Sequence, residues 1–250
     1  MRIVTWNVNG IRSCVRAGFL EWLTKSGADI VCLQEIKANE ESLDMFVRSP
    51  GQYKSLFNSA AKKGYAGTGI YYLKEPLSIS TKSGFPRFDD DGRFIRFDYK
   101  DFILINLYMP NGARDKSAFP FKFKAYEYLF EYLKSVKEKP IILVGDFNIA
   151  HTALDLARPK ENENNTMFTP KERGLLDELL NLGFTDSFRI FKKSVGYYSW
   201  WSYGFNARER NLGWRIDYAF ISNSLASRVK DCSTHPEVSG SDHCPVVLEI

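Results

Sequence analysis

Residues able to bind metal or move protons recur in this sequence where apolar runs end. The segments are Trp6-Asn7-Val8-Asn9-Gly10, Leu33-Gln34-Glu35-Ile36-Lys37, Tyr108-Met109-Pro110-Asn111, Gly145-Asp146-Phe147-Asn148, Trp214-Arg215-Ile216-Asp217-Tyr218 and Gly240-Ser241-Asp242-His243. Any one alone reads first as a turn, since Asn, Asp and Gly are common turn formers. Together they form one kit: carboxylates from Glu35, Asp146, Asp217 and Asp242, amides from Asn7, Asn9, Asn111 and Asn148, and the imidazole of His243. Hard oxygen donors suit Mg²⁺ rather than zinc. Because magnesium keeps several waters and takes one or two carboxylates plus substrate phosphate oxygens, Glu35 with Asn7 would suffice as protein ligands. The other acids are then free for proton work. Phosphodiester hydrolysis needs an activated water, neutralised non-bridging oxygens and a stabilised leaving alkoxide, all of which such a set can supply. Asp217 could hold the His243 tautomer and favour its protonated, phosphate-binding form. The alternative is a core histidine satisfied by a carbonyl.

The elements that must position these groups are short. Runs rich in Ile, Val, Leu and Tyr predict strands over Arg2–Val8, Asp29–Gln34, Gly69–Leu73, Phe94–Tyr99, Phe102–Tyr108, Pro140–Val144, Ile216–Ser222 and Pro245–Ile250. Phe94–Tyr99 and Phe102–Tyr108 flank Lys100-Asp101 as a hairpin, which argues against a purely parallel sheet. Helical patterns cover Phe19–Lys25, Phe123–Val136 and Pro170–Leu182, the last begun by Thr169, Pro170 and Glu172 as N-cap, first-turn proline and capping box. Mixed strands with interleaved helices predict two packed sheets flanked by helices in a single domain over 1–250. The polar stretch Arg158–Thr166 reads as a long surface loop.

Composition bounds the rest. A chain of 250 residues with 44% hydrophobic content can bury a large core, and a net charge of +4 permits a nucleic-acid partner without announcing one. Cys14, Cys32, Cys232 and Cys244 form no C-x-x-C pair, which predicts reduced thiols and a cytoplasmic protein. Neither an apolar signal segment nor a membrane-spanning run is visible. Gly64-Tyr65-Ala66-Gly67-Thr68-Gly69 is not a phosphate-binding glycine motif and reads as a tight turn, and Ser241 lacks the G-x-S-x-G setting of a serine hydrolase.

With these segments in order from end to end, joined by Phe168-Thr169-Pro170-Lys171-Glu172-Arg173, Asn206-Ala207-Arg208 and Cys244-Pro245, the chain resembles the exonuclease III family of class II AP (abasic-site) endonucleases. That family lies within the endonuclease/exonuclease/phosphatase superfamily. The resemblance implies a four-layer α/β sandwich, DNase I-like, with two mixed sheets between helices. It implies Mg²⁺, with Mn²⁺ able to substitute, and double-stranded DNA containing abasic sites as partner, acted on by a monomer. The expected reaction is hydrolysis 5′ to the abasic site to leave a 3′-hydroxyl, with possible 3′-5′ exonuclease and 3′-phosphodiesterase activity.

By position, the resemblance makes Glu35 the principal metal ligand, Asn7 its neighbour, and Asn9 and Asp242 contributors to a second metal position. Asn9 stands where some relatives carry Asp, which removes a carboxylate there. Asp146 would orient or deprotonate the attacking water and Asn148 position it. Tyr108, Asn111 and His243 would hold the scissile phosphate, with Asp217 supporting His243. Trp200 and Trp214 match the pocket for a flipped-out abasic sugar. Lys37, Asn162, Asn165, Arg208 and Arg210 are expected phosphate-backbone contacts, and Arg114 and Phe205 fall near groove-entering segments. The competing expectations are a general DNase, an inositol-phosphate phosphatase, and a non-catalytic DNA binder.

Overall fold

The computed structural model describes residues 1–136 and 139–250. Its strands are β1 (Arg2–Asn7), β2 (Ile30–Gln34), β3 (Lys54–Asn58), β4 (Thr68–Tyr72), β5 (Ser78–Ser80), β6 (Phe94–Asp98), β7 (Ile103–Tyr108), β8 (Ile141–Asp146), β9 (Phe184–Asp186), β10 (Asp217–Ser222), β11 (Asp231–Thr234) and β12 (Val246–Glu249). Its α-helices are α1 (Ile11–Arg16), α2 (Phe19–Lys25), α3 (Met45–Arg48), α4 (Pro86–Asp90), α5 (Phe119–Ser135), α6 (Pro159–Asn162), α7 (Pro170–Asn181) and α8 (Ser187–Phe191).

Two six-stranded mixed sheets result, ordered β11-β12-β1-β2-β4-β3 and β5-β6-β7-β8-β10-β9. Period-two alternation sorts their side chains into layers. Ile3 of β1, Leu104 of β7, and Ile142 and Val144 of β8 join one core shared by both sheets. Their neighbours Val4 and Trp6 pack with Phe19 and Leu23 of α2, while Ile105, Leu107 and Leu143 pack with Tyr126 and Leu129 of α5 and Leu176 of α7. Strands buried on both faces in this way read as continuous apolar runs. The sandwich therefore has helices outside and sheets inside, as expected.

All eight expected strands are present. The β6–β7 hairpin pairs Phe94 with Leu107 and Asp98 with Ile103. At α7 the capping box forms, with Glu172 N donating to Thr169 Oγ1 and Thr169 N donating to Glu172 Oε2. Two boundaries differ from expectation. Helix α5 begins at Phe119, before Phe123, because Pro120 is tolerated in a first turn whose N–H groups need no partner. The supposed loop Arg158–Thr166 contains α6, again opened by a first-turn proline. All four cysteines are buried and unpaired, and no helix among the described residues is long and apolar enough to cross a membrane.

Candidate active site

Strand direction explains why the polar segments meet. Parallel β1 and β2 both end where Asn7 pairs with Gln34, and parallel β7 and β8 end where Tyr108 pairs with Asp146. Antiparallel β10 starts at the same place, with Asp217 opposite Asp146. The segment before β12 is tied in by Trp6 Nε1 donating to His243 O and Ser241 Oγ donating to Asn7 O. Six separate chain segments thus deliver side chains to the same end of both sheets.

The buried Asn7 joins the sheets, its Nδ2 donating to Glu35 Oε1 at 2.8 Å and to Asp146 Oδ2 at 2.9 Å. Asp146 Oδ1 accepts from Asn148 N at 2.8 Å, and Asn111 Nδ2 donates to Asn148 Oδ1 at 3.2 Å. His243 Nδ1 lies 2.8 Å from Asp217 Oδ2, the pairing expected from sequence. Ligand atoms of Glu35, Asp146 and His243 fall within 4.8 Å of one another. Backbone strain accompanies this geometry: Asn9, Glu35, Lys37 and Asn148 all have positive φ, between 43° and 52°. Non-glycine residues hold that conformation only where their surroundings impose it. Gly145 is required beside Asp146, since at φ 145° a Cβ would run into the Leu107 carbonyl.

Electrostatics assign distinct protonation states. Burial, then the neighbouring Asp217, pushes the Asp146 carboxyl up to about 8, although His243 opposes the rise. Burial alone would lower the His243 imidazole, but Asp217, Asp146 and Asp242 more than offset it and hold its pKa at about 10. Burial also acts to raise Glu35, yet the Lys37 ammonium and the Asn7 amide bring it net below its ordinary value. The site therefore contains an ionised carboxylate, a carboxyl titrating near neutrality and an imidazolium. Asp217 Oδ1 is buried with no hydrogen-bond partner among the described residues. An excess of hard anionic oxygens with one left unsatisfied fits a hard divalent cation. Glu35, with Asp146 beside it, is the natural holder, because a protonated His243 offers no lone pair.

The remaining expected residues fall into two groups. Near the centre, Lys37 pairs with Glu35 Oε2 at 2.9 Å and donates to Asn9 Oδ1, while Asn9 Nδ2 donates to Asp242 Oδ1. Asp242 also accepts from Trp200 Nε1 at 3.0 Å. Asn9 and Asp242 are thus tied to each other and to Lys37 and Trp200 at the rim of the site. Trp200 and Trp214 meet edge-on at 6.4 Å and pack on Leu156, Met167 and Phe168, an apolar wall next to His243. Arg210, Arg114 and Phe205 are exposed.

Arg208 also has a structural role. Its guanidinium donates to Ser241 O, Pro236 O and Val238 O and lies over the Trp201 ring, so it clamps the Ser241–His243 segment. Asn162 caps its own turn by donating to Ala157 O and Arg158 O and accepts from Asn165 Nδ2, so these amides brace α6 at the surface.

Three functional neighbours escaped the sequence reading. Ser199 Oγ accepts from the N–H groups of Ile216 and Asp217. Lys122, fully buried, donates to Asn148 O at 2.8 Å and to Glu172 Oε1 at 2.5 Å. Arg93 sits under the Tyr108 ring. A lysine in a first helical turn and an arginine opening a strand look solvated in sequence. Only the depth of Lys122 among apolar α5 neighbours hinted otherwise.

Comparison with known proteins places this geometry. Residues 4–243 match the model of the Endonuclease/Exonuclease/phosphatase family. The chain belongs to that family. It is 41% identical to an exodeoxyribonuclease of Bacillus subtilis, over 100% of the chain and 99% of that protein. It is 38% identical to the DNA repair nuclease APEX1 of Danio rerio, over 99% of the chain and 81% of the relative. An AP endonuclease from Archaeoglobus fulgidus superposes with a TM-score of 0.91 at 30% identity, covering 100% of the chain and 99% of the other. A 3′-5′ exonuclease from Neisseria meningitidis superposes at 0.89 with 26% identity, covering 100% and 99%. Within the family, the chain is a phosphodiesterase of the AP endonuclease and exodeoxyribonuclease type.

Proposed function

We infer that the chain is an Mg²⁺-dependent endonuclease that hydrolyses the phosphodiester 5′ to an abasic site in duplex DNA, leaving a 3′-hydroxyl. Secondary 3′-5′ exonuclease and 3′-phosphodiesterase activities accompany it. The observation that carries the reading is the convergence of Glu35, Asp146 and His243, whose ligand atoms lie within 4.8 Å of one another, with Asp217 Oδ2 2.8 Å from His243 Nδ1. In this reading Asp146 takes a proton from water as the water oxygen bonds to phosphorus, and the bond to the 3′ oxygen breaks. Asn148 orients the water. His243, Tyr108 and Asn111 donate to non-bridging oxygens as charge builds there, and Asp217 keeps the imidazole in place. Glu35 would hold a divalent cation, which would supply neutralisation of phosphate charge and stabilisation of the leaving oxygen.

Substrate choice rests on the wall of Trp200 and Trp214, compact and apolar, which suits a sugar without a base. The likeness to the archaeal AP endonuclease supports it. The same surface engages double-stranded DNA through Lys37 and Arg210, with Mn²⁺ able to replace Mg²⁺.

The test is incision of a labelled duplex carrying one tetrahydrofuran analogue, which cannot undergo β-elimination. Cutting immediately 5′ to the analogue, dependent on Mg²⁺, abolished by EDTA and impaired in Glu35→Ala, is the expected result. Equal cutting of intact duplex would replace the abasic pocket with a general nuclease, and binding without cutting would leave a scaffold.

A further inference from the structure

Arg93 is only 3% exposed, yet its guanidinium has a single carboxylate partner, Asp91, whose Oδ2 accepts from Nε at 2.8 Å. The other two arms serve tyrosines. Nη1 donates to Tyr108 O at 3.2 Å and Nη2 to Tyr65 Oη at 3.0 Å, while the guanidinium plane lies 4.5 Å from the centre of the Tyr108 ring. The backbone closes the loop, with Tyr108 N donating to Arg93 O at 2.9 Å. Tyr108 is therefore gripped at its N–H, its carbonyl and its ring face by one residue. A buried cation that merely needed neutralising could be met by Asp91 and carbonyls. Here one arm of the fork and the face of the guanidinium, a combination lysine cannot reproduce, are directed at Tyr108.

We propose that Arg93 is a positioning residue for phosphodiester hydrolysis, fixing the Tyr108 ring so that its hydroxyl meets a non-bridging oxygen of the scissile phosphate. This rests on the reading of Tyr108 as a phosphate-holding group. Tyr108 ends β7 beside Glu35 and opposite Asp146, so a rotation about its Cα–Cβ bond would carry the hydroxyl off the phosphate without disturbing the sheet. A small misplacement of a reacting group costs rate, not substrate affinity.

A double-mutant cycle on incision of the abasic-analogue duplex tests it, with kcat and KM measured for Arg93→Lys, Tyr108→Phe and the pair. Arg93→Lys is expected to lower kcat by roughly 10-fold or more with KM little changed. In the Tyr108→Phe background the same change should cost less than about 2-fold, since no hydroxyl remains to position. Equal losses in both backgrounds would assign Arg93 a purely structural role and overturn the proposal. Tyr108→Phe at the wild-type rate would instead overturn the phosphate-holding reading, and this proposal with it. Should Arg93→Lys fail to fold, Tyr65→Phe removes one arm of the clamp without exposing a charge, and the same non-additive pattern, smaller in size, is expected.

Discussion

Two clusters of buried charge lie in this protein, and they are built on opposite rules. In one, Asp155 and Asp186 alternate with Arg189 and Arg215: Arg215 Nε meets Asp155 Oδ1 and Nη2 meets Asp186 Oδ2, each at 2.7 Å, and Arg189 also pairs with Asp155. Thr152 donates twice to Asp155 Oδ2, and Phe188 N donates to Asp186 Oδ1, so every carboxylate oxygen has a donor. In the other, the charges of Glu35, Asp146, Asp217 and Asp242 are opposed by the cations Lys37 and His243 alone among the described residues, and Asp217 Oδ1 has no partner there. The first cluster is balanced and locks the strand β9 and helix α8 to the segment before β10. The second is left short of positive charge, a shortage that a metal ion and the donors around a phosphate are suited to exploit. Burial of charge does not by itself mark a site; an unbalanced account of charge does.

The largest expected break of that contrast is Arg215→Met. It leaves Asp186 without a cation and Asp155 with Arg189 alone, and a loss of about 3–5 kcal/mol is expected in urea unfolding. An unchanged midpoint would mean that the balanced cluster holds nothing together. Next comes His243→Asn in the unbalanced cluster. Incision per folded molecule should slow by about 10²–10³-fold, or about 2.7–4 kcal/mol in the barrier, in addition to the stability lost by leaving Asp217 without its cation. A large stability loss with a normal rate per folded molecule would erase the distinction.

Divalent cation separates the clusters again. A Mg²⁺ concentration 100-fold above its Kd should stabilise the protein by about 2.7 kcal/mol, and Glu35→Ala should remove that gain. Stabilisation that survived Glu35→Ala would move the ion elsewhere. Smallest is the acid response. Arg215 and Arg189 outweigh burial and bring the Asp155 carboxyl down to about 2 from its ordinary 3.8. A depressed carboxyl contributes stability that is present above its unfolded pKa and lost as pH falls through the folded one. The wild type should therefore lose about 2 kcal/mol between pH 4 and pH 2 that an Asp155→Asn variant, already without it, does not lose. Parallel curves for the two proteins would contradict the assignment.

The sequence made the sandwich legible where strands are buried on both faces. The four strands it missed, β3, β5, β9 and β11, are the four sheet edges. Edge strands such as β5, with exposed Ile79, carry no continuous apolar run, so periodicity has nothing to register. At the site, Glu35, Asp146, Asp217 and His243 were readable because polar residues ended apolar strands. The clamp made by Arg208, and the places of Arg93, Lys122 and Ser199, were missed for one reason. A charge or hydroxyl looks solvated in sequence, and only tertiary structure reveals the carbonyl, ring or N–H that it meets.

The most direct test of the account is incision of the abasic-analogue duplex in ¹⁸O-labelled water under single-turnover conditions, with both fragments weighed by mass spectrometry. Direct attack by water activated at Asp146 predicts one ¹⁸O on the 5′-phosphate of the downstream fragment and an unlabelled 3′-hydroxyl upstream. Label in the 3′ end, or a product phosphate free of ¹⁸O in that single turnover, would contradict water attack at phosphorus and with it the role given to the unbalanced cluster.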